Sequence, residues 1–192
     1  MKMEVFEKIY LKPGIHLREI CRQINLSIPS VKNHLDKLLE EKVITKVKDG
    51  RNLKFFVNIS NRKTIPYLSK VESNRIGKLP GFVGNVLFDI LSSLDRKPLI
   101  MLVFGSYAKN SYKEDSDIDV LLVFDSVDKK IEQKISIINE RHSAKASLVY
   151  LPWDEFKKKF FDQRDSFMKE IKENKILIAG IEHWVMLENE KA

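Results

Sequence analysis

The sequence contains a single cysteine, Cys21, among its 192 residues. One thiol cannot form a disulfide within the chain, and Cys21 falls in a helical pattern, so we expect a small buried apolar side chain rather than a reactive one. No apolar run approaches the roughly 20 residues that a membrane span needs, and the charged start MKMEVFEKIY does not resemble a signal peptide. The sequence therefore predicts a cytoplasmic protein that does not contact a membrane.

The histidines also lack a familiar ligand spacing. His16 and His34 are not spaced with cysteine or carboxylates as metal ligands usually are, which argues against a metal-sensing regulator. Hydrophobic residues make up 43% of the chain and charged residues 32%, a globular balance that excludes a disordered or fibrous protein. The length suits two small packed domains.

The positive charge is concentrated at one end of the chain. The formal net charge is +7, and residues 1–65 carry all of this excess, whereas residues 66–192 are formally neutral. Such an asymmetry is typical of a nucleic-acid-binding module joined to a neutral domain, because lysine and arginine neutralise phosphates. A basic solvated surface without a partner is the alternative.

Two amphipathic helices and a hairpin are predicted in this basic region. Apolar residues recur at helical spacing in two groups: Leu17, Ile20, Cys21 and Ile24, then Val31, Leu35, Leu38 and Leu39. Ser27 is a natural N-cap for the second helix, and Pro29 is tolerated in its first turn. Two β-rich runs follow at residues 43–48 and 52–59, joined around Asp49-Gly50, a dipeptide that tolerates the positive φ angles of a tight hairpin.

The order of three helices and a hairpin over about residues 3–60 resembles the winged-helix family, and LSIPSVKNHLDKLLEEKVITKVKDGRNLKFFV resembles its repressor-like members. The resemblance implies that the second helix of the pair enters the major groove of duplex DNA and that the wing contacts the backbone or the minor groove, often in a homodimer. The residues that it places toward DNA are Ser30, Lys32, Asn33, Lys37, Lys48, Arg51 and Lys54. Asn33 can read an adenine edge, and the lysines suit phosphates. A winged helix that serves only protein contacts is the alternative.

The chain is predicted to divide into a winged-helix domain at residues 1–62, a connector at 63–81 and a second domain at 82–192. The connector is polar and interrupted by proline and glycine, with one short helix expected near residues 67–75. A strong amphipathic helix follows over residues 83–94 and should belong to the core of the second domain.

The most specific motif is IMLVFGSYAKNSYKEDSDIDVLLVF, residues 100–124. An apolar strand ends at Gly105-Ser106, and after a loop Asp117-Ile118-Asp119 opens a second apolar strand. Residues i and i+2 of a strand point to the same face, about 7 Å apart, so Asp117 and Asp119 can reach one magnesium ion while Ile118 packs into the core. Magnesium usually takes one or two protein carboxylates and completes its octahedron with phosphates and water.

This motif resembles the nucleotidyltransferase superfamily related to DNA polymerase β, and specifically its minimal members, over about residues 82–185. The resemblance implies that Asp117 and Asp119 are catalytic and hold Mg²⁺, and that Gly105 and Ser106 bind the triphosphate of a nucleotide. It implies an α+β protein: a winged helix-turn-helix followed by an α/β nucleotidyltransferase fold with a mixed sheet.

One departure from the pattern concerns catalysis. Active members usually carry a third carboxylate on the strand after the connecting helix, but residues 141–151 contain neither Asp nor Glu, and the resemblance points to Ser147 as the equivalent position. Serine is a poor metal ligand and a poor base, so we expect nucleotide binding with slow catalysis or none.

Three functions stay open on the sequence. The first is a DNA-binding transcriptional regulator whose second domain senses a nucleotide or contacts a protein partner. The second is a working enzyme of the antitoxin type, which adds a nucleotide to a protein or nucleic acid. The third is a scaffold with neither activity. The absent third carboxylate favours the first over the second, and the retained motif counts against the third.

Overall fold

The computed structural model describes residues 1–143 and 145–190. Contacts divide the chain into two compact units, Met1–Val71 and Glu72–Ala192. This division falls within the predicted connector, while the predicted domain limits at residues 62 and 82 stay predictions. No helix in the described ranges is long and apolar enough to cross a membrane.

The N-terminal unit is a helical core with a small sheet. Its elements are α1 (Lys2–Leu11), β1 (Ile15–His16), α2 (Leu17–Ile24), α3 (Ile28–Glu40), β2 (Ile44–Asp49) and β3 (Asn52–Val57). The side chain of Ser27 accepts a hydrogen bond from the Ser30 amide, as expected of an N-cap. The apolar faces of the three helices are buried together and include Phe6, Ile20, Val31, Leu35 and Leu38. The helix-turn-helix and the hairpin are thus present as predicted.

The hairpin closes one residue later than the sequence suggested. Asp49 pairs with Asn52, so the two-residue loop is Gly50-Arg51, and Gly50 has a φ of 58°. A positive φ at the first loop position is the conformation for which glycine is favoured in tight hairpins. Strand β1, two residues long, also pairs with β3, and so short an element leaves no periodic signal in the sequence.

The segment predicted as a polar connector forms a longer helix than expected, α4 (Thr64–Ile76). Pro66 lies in the first turn, where its missing N–H costs no hydrogen bond. Leu68 and Val71 are buried, so the helix is held by apolar packing as well as by its own hydrogen bonds. Sequence reasoning underestimated the helix because only a few of its residues are apolar.

The C-terminal unit consists of helices on both faces of a mixed sheet. Its elements are α5 (Gly81–Ser93), β4 (Ile100–Phe104), α6 (Gly105–Ala108), β5 (Ile118–Phe124), α7 (Lys129–His142), β6 (Ala146–Pro152), α8 (Trp153–Phe161), α9 (Ser166–Glu173), β7 (Ile176–Ala179) and α10 (Ile181–Glu190). Strand order is β6-β5-β4-β7; β5 and β6 are parallel, and the other neighbours are antiparallel. The predicted α+β class and mixed sheet are confirmed.

Alternate residues of the sheet point into two separate cores. Ile118, Val120 and Leu122 pack with α5 and α7 on one face. Leu121 and Val123 pack on the other face with apolar residues of α8, α9 and α10. Because strand side chains alternate between faces, Asp119 lies on the face that α8, α9 and α10 cover.

Three local expectations differ from the structure. Strand β5 begins at Ile118, so Asp117 is the residue immediately before the strand and not part of it. Helix α10 was not predicted as an element. Cys21 is only partly buried, rather than enclosed in the core.

Candidate active site and nucleic-acid interface

The two predicted metal-binding carboxylates lie at the start of β5. Asp119 is paired with Phe104, the last residue of β4, so the end of one strand and the start of the other meet at this point. Ile118, between the two aspartates, is fully buried. Asp119 is half-buried, whereas Asp117 is exposed. A rigid, buried strand therefore positions Asp119, and Asp117 faces solvent beside it.

Gly105 leaves space that the Asp119 carboxylate occupies. A Cβ atom at position 105 would lie 2.1 Å from Asp119 Oδ2, and the φ of Gly105 is 65°. Both facts require glycine, since a side chain would clash with the carboxylate and L residues rarely adopt that φ. The structure thus brings Gly105 and Asp119 into contact, although fourteen positions separate them along the chain.

Burial and neighbouring negative charges make Asp119 harder to ionise. Burial is the largest cause that raises the pKa of Asp119, followed by the negative charges of Asp117 and then of Glu170. A cation would relieve this repulsion and favour the ionised form. Oxygen ligands of this kind suit Mg²⁺, which needs only one or two protein carboxylates.

The fit to magnesium depends on these two side chains together with a bound phosphate. Among the described residues, no three Asp, Glu, His or Cys side chains are arranged to hold a metal ion by themselves. Two protein carboxylates leave the other coordination sites of the ion open, which is the arrangement expected where a substrate supplies the other oxygens. Asp117 and Asp119 are the residues that would hold the ion.

Ser106 and the loop after it border the same point. The Ser106 carbonyl accepts a hydrogen bond from the Ser111 amide at 2.9 Å, which folds the loop back on the turn. Tyr107 is buried and stacks on Tyr112, with ring centroids 4.4 Å apart, and its hydroxyl donates to the Ser116 carbonyl at 3.4 Å. Two tyrosines therefore fix the loop that leads into Asp117, a role that the sequence did not reveal.

Ser147 lies beside Asp119, as expected for the third-carboxylate position. The parallel register of β5 and β6 pairs Asp119 with Ser147. Paired residues of neighbouring strands share a face of the sheet. The strand that could carry a third acid therefore presents a hydroxyl next to Asp119.

Helix α9 brings a different acid to this region. The rings of Phe104 and Phe167 are in edge-to-face contact, with centroids 5.4 Å apart. One turn further along α9, Glu170 Oε1 lies 2.8 Å from the Nζ of Lys109, the C-cap residue of α6. Sequence reasoning missed both Lys109 and Glu170, because their proximity depends on how α9 packs on the sheet.

The predicted DNA-reading residues of α3 are mostly accessible. Lys32, Asn33 and Lys37 are exposed on the side opposite the buried Val31 and Leu35. Ser30 is half-buried, and its amide is already used by the N-cap. The helix therefore presents two cations and one amide side chain on a single accessible face.

The cations of the wing differ in exposure and in whether they are paired with an acid. Lys48 and Arg51 are exposed at and beside the tip of the hairpin. The Nζ of Lys54 lies 2.8 Å from Asp49 Oδ2, so its charge is partly neutralised by the wing itself. Lys46 is also exposed on β2 and was not among the predicted residues.

Family comparisons match both halves of the chain. The model described as nucleotidyltransferase domain matches residues 86–178, which contain the strand, the glycine turn and both aspartates. Residues 86–178 form a nucleotidyltransferase domain. The model described as winged helix-turn-helix DNA-binding matches residues 9–45, which contain α2 and α3. The chain thus joins a winged helix-turn-helix DNA-binding domain to a nucleotidyltransferase domain, as the sequence motifs predicted.

Individual relatives cover less of the chain. A proposed protein adenylyltransferase of Methanocaldococcus jannaschii is 42% identical over 65 residues, which are 33% of this chain and 66% of that protein. The crystal structure of the PcaV transcriptional regulator from Streptomyces coelicolor with its natural ligand covers 47% of this chain and 70% of its own, at 15% identity and a TM-score of 0.31. A likeness this low carries no argument about fold or function.

Proposed function

We propose that this chain is a DNA-binding transcriptional regulator whose nucleotidyltransferase domain binds a nucleoside triphosphate with Mg²⁺ and transfers the nucleotide slowly at most. The observation that carries this proposal is the Asp119 carboxylate seated against Gly105, with Asp117 beside it and Ser147 in the place of a third acid. The two aspartates beside Gly105 suit nucleotide binding, whereas a hydroxyl at position 147 in place of a carboxylate slows removal of the acceptor proton.

Different residues of the site bind the metal ion and the phosphates. Asp117 and Asp119 hold the metal ion, which when bound neutralises phosphate charge. The absence of a side chain at Gly105 leaves room for the Asp119 carboxylate, and the backbone there can approach the triphosphate. The Ser106 hydroxyl can donate a hydrogen bond to a phosphate oxygen.

The DNA-binding half of the proposal rests on charge and exposure. All of the excess positive charge lies in residues 1–65, and α3 and the wing expose part of it on accessible surfaces. Phosphate neutralisation would supply affinity, and Asn33 in the major groove would supply sequence preference. We propose a homodimer that binds two half-sites about one DNA turn apart.

An active nucleotidyltransferase is the second candidate. The name of the matched Methanocaldococcus jannaschii relative refers to transfer of adenylate to a protein, which would make a protein partner the acceptor. Within this chain, Glu170 of α9 is an acid in the same region as Asp119, and it favours the same candidate.

The wing supplies a direct test of DNA binding. Changing Lys48 and Arg51 to alanine should lower affinity for duplex DNA and reduce the slope of log affinity against log salt by about two, because each lost phosphate contact removes roughly 0.9 of slope. Gel-shift titrations at several salt concentrations measure both quantities.

A matched control separates the wing from net charge. Arg62 and Lys63 are also exposed and lie outside α3 and the wing, so alanine at both positions removes the same two charges elsewhere. Affinity and slope should change much less in this control. Equal losses in the two variants would show that the wing has no particular role.

The oligomeric state has its own measurement. Light scattering should give the mass of two chains for the free protein and the mass of two chains plus one duplex for its complex with DNA. A single chain bound one to one on its preferred site would contradict the dimer.

A further inference from the structure

The face of the sheet that carries Asp119 is covered by α9. Leu121 and Val123, which follow Asp119 at alternate positions, pack in one core with Met168 and Ile171 of that helix. Phe104, the strand partner of Asp119, contacts Phe167. These contacts fix the helix against the same strand ends that position the aspartates.

Glu170 is the acidic residue that this packing directs toward the site. It follows Phe167 by three positions, so the two side chains share a face of α9. Its carboxylate binds the ammonium of Lys109 at 2.8 Å, and Lys109 is the C-cap of the short helix that begins at Gly105. The side chains of Lys109 and Glu170 are 42% and 43% exposed, so both can move without unpacking a core.

Strand β6 carries no acid that could accept the proton. Ser147 is the register partner of Asp119, and a hydroxyl does not accept a proton at neutral pH. Glu170 pairs with Lys109, which follows by four positions the Gly105 that contacts Asp119. A carboxylate is thus available near the aspartates from a helix rather than from the neighbouring strand.

We propose that Glu170 is the base of slow nucleotidyl transfer, in place of the missing acid on β6, and that Lys109 holds Glu170 until a triphosphate binds. The inference rests on the proposed function. A bound triphosphate attracts the Lys109 ammonium and releases the Glu170 carboxylate. The oxygen of an acceptor hydroxyl, or of water when ATP is the only substrate supplied, then forms a bond to the α-phosphorus as the bond to the bridging oxygen breaks. Pyrophosphate leaves with that electron pair, and the acceptor proton moves to Glu170.

The test compares Glu170→Gln with Glu173→Gln in the full chain, using ATP and Mg²⁺. Glu173 is an exposed acid at the end of the same helix. Glu170→Gln should keep ATP affinity at or above that of the wild type and lower the rate of pyrophosphate release at saturating ATP by about 100-fold, a typical contribution of a general base. Glu173→Gln should leave both quantities unchanged.

Two further variants distinguish a base from a structural ion pair. Lys109→Met breaks the same pair but keeps the carboxylate, so it should raise the KM for ATP and largely keep kcat. Adding Ser147→Asp to Glu170→Gln should restore part of the release rate, because it returns an acid to the side of Asp119.

Each outcome decides between the two proposals. Three outcomes would each overturn the role of Glu170 alone. The first is a wild-type rate of pyrophosphate release in Glu170→Gln, and the second is an equal loss of kcat in Glu170→Gln and Lys109→Met. The third is ATP binding by the wild type with no more pyrophosphate release than in a variant with both Asp117 and Asp119 changed to asparagine. Absence of Mg²⁺-dependent ATP binding in the wild type would overturn the proposed function and, with it, this inference.

Discussion

Changing Asp117 and Asp119 together to asparagine should abolish Mg²⁺-dependent binding of ATP. Each charged ligand contributes roughly 1.5 kcal/mol or more, so losing both should weaken affinity by at least about 100-fold. Isothermal titration with and without Mg²⁺ measures the loss. Equal metal-dependent affinity in the variant and the wild type would contradict the assignment of both aspartates.

The fold of this variant should survive, and its stability should respond less to pH. The folded state raises the pKa of Asp119 above its ordinary value of 3.8, so ionising Asp119 costs stability as the pH rises above about 4. The asparagine variant lacks this cost, and above that pH it should unfold at the same temperature as the wild type or a higher one. Thermal unfolding between pH 4 and 7 is the control measurement, and early unfolding of the variant would show structural damage instead.

Substituting Gly105 with alanine should displace the Asp119 carboxylate without removing it. The new Cβ would lie 2.1 Å from Asp119 Oδ2, and the backbone would be held at a φ of 65°. We expect a loss of about 1–2 kcal/mol in the free energy of unfolding from the backbone conformation. Affinity for ATP with Mg²⁺ should fall by about 10-fold or more, because one displaced ligand forfeits roughly 1.5 kcal/mol.

Gly84 provides the matched control for Gly105. It lies within α5, and a Cβ there would meet no heavy atom within 4 Å. Alanine at this position should raise stability by about 0.5–1 kcal/mol through helix propensity and leave ATP binding unchanged. Wild-type ATP affinity in Gly105→Ala, measured beside this control, would show that the contact with Asp119 is irrelevant to nucleotide binding.

Most elements of the fold could be read from periodicity. The apolar spacing of α2, α3 and α5 and the continuous apolar runs of β4 and β5 predicted these elements, because burial on one face or on both imposes those patterns. The Ser27 cap and the glycine of the wing marked boundaries through local backbone chemistry. The full length of α4 and the strand β1 were missed, since their stability comes from tertiary contacts rather than from a pattern of their own.

The candidate site was predicted in part for the same reason. Asp117, Asp119, Gly105 and Ser106 are close in sequence and belong to one motif, so their proximity follows from two adjoining strands. The family resemblance pointed to Ser147 as the third-carboxylate position, and the register of β5 and β6 pairs it with Asp119. Lys109 and Glu170 are 61 residues apart, and no local pattern relates them.

The sequence by itself determined the two domain types, the charge asymmetry and the pair of aspartates, because local spacing and residue chemistry suffice for each. Only the tertiary structure decided that the Asp119 carboxylate fills the space beside Gly105, that Lys54 is paired within the wing, and that α9 directs Glu170 toward the aspartates. These features depend on how side chains from distant segments pack on one face of a sheet or across a hairpin. Packing of this kind is set by the shape and volume of the whole core, which no single segment of the sequence records.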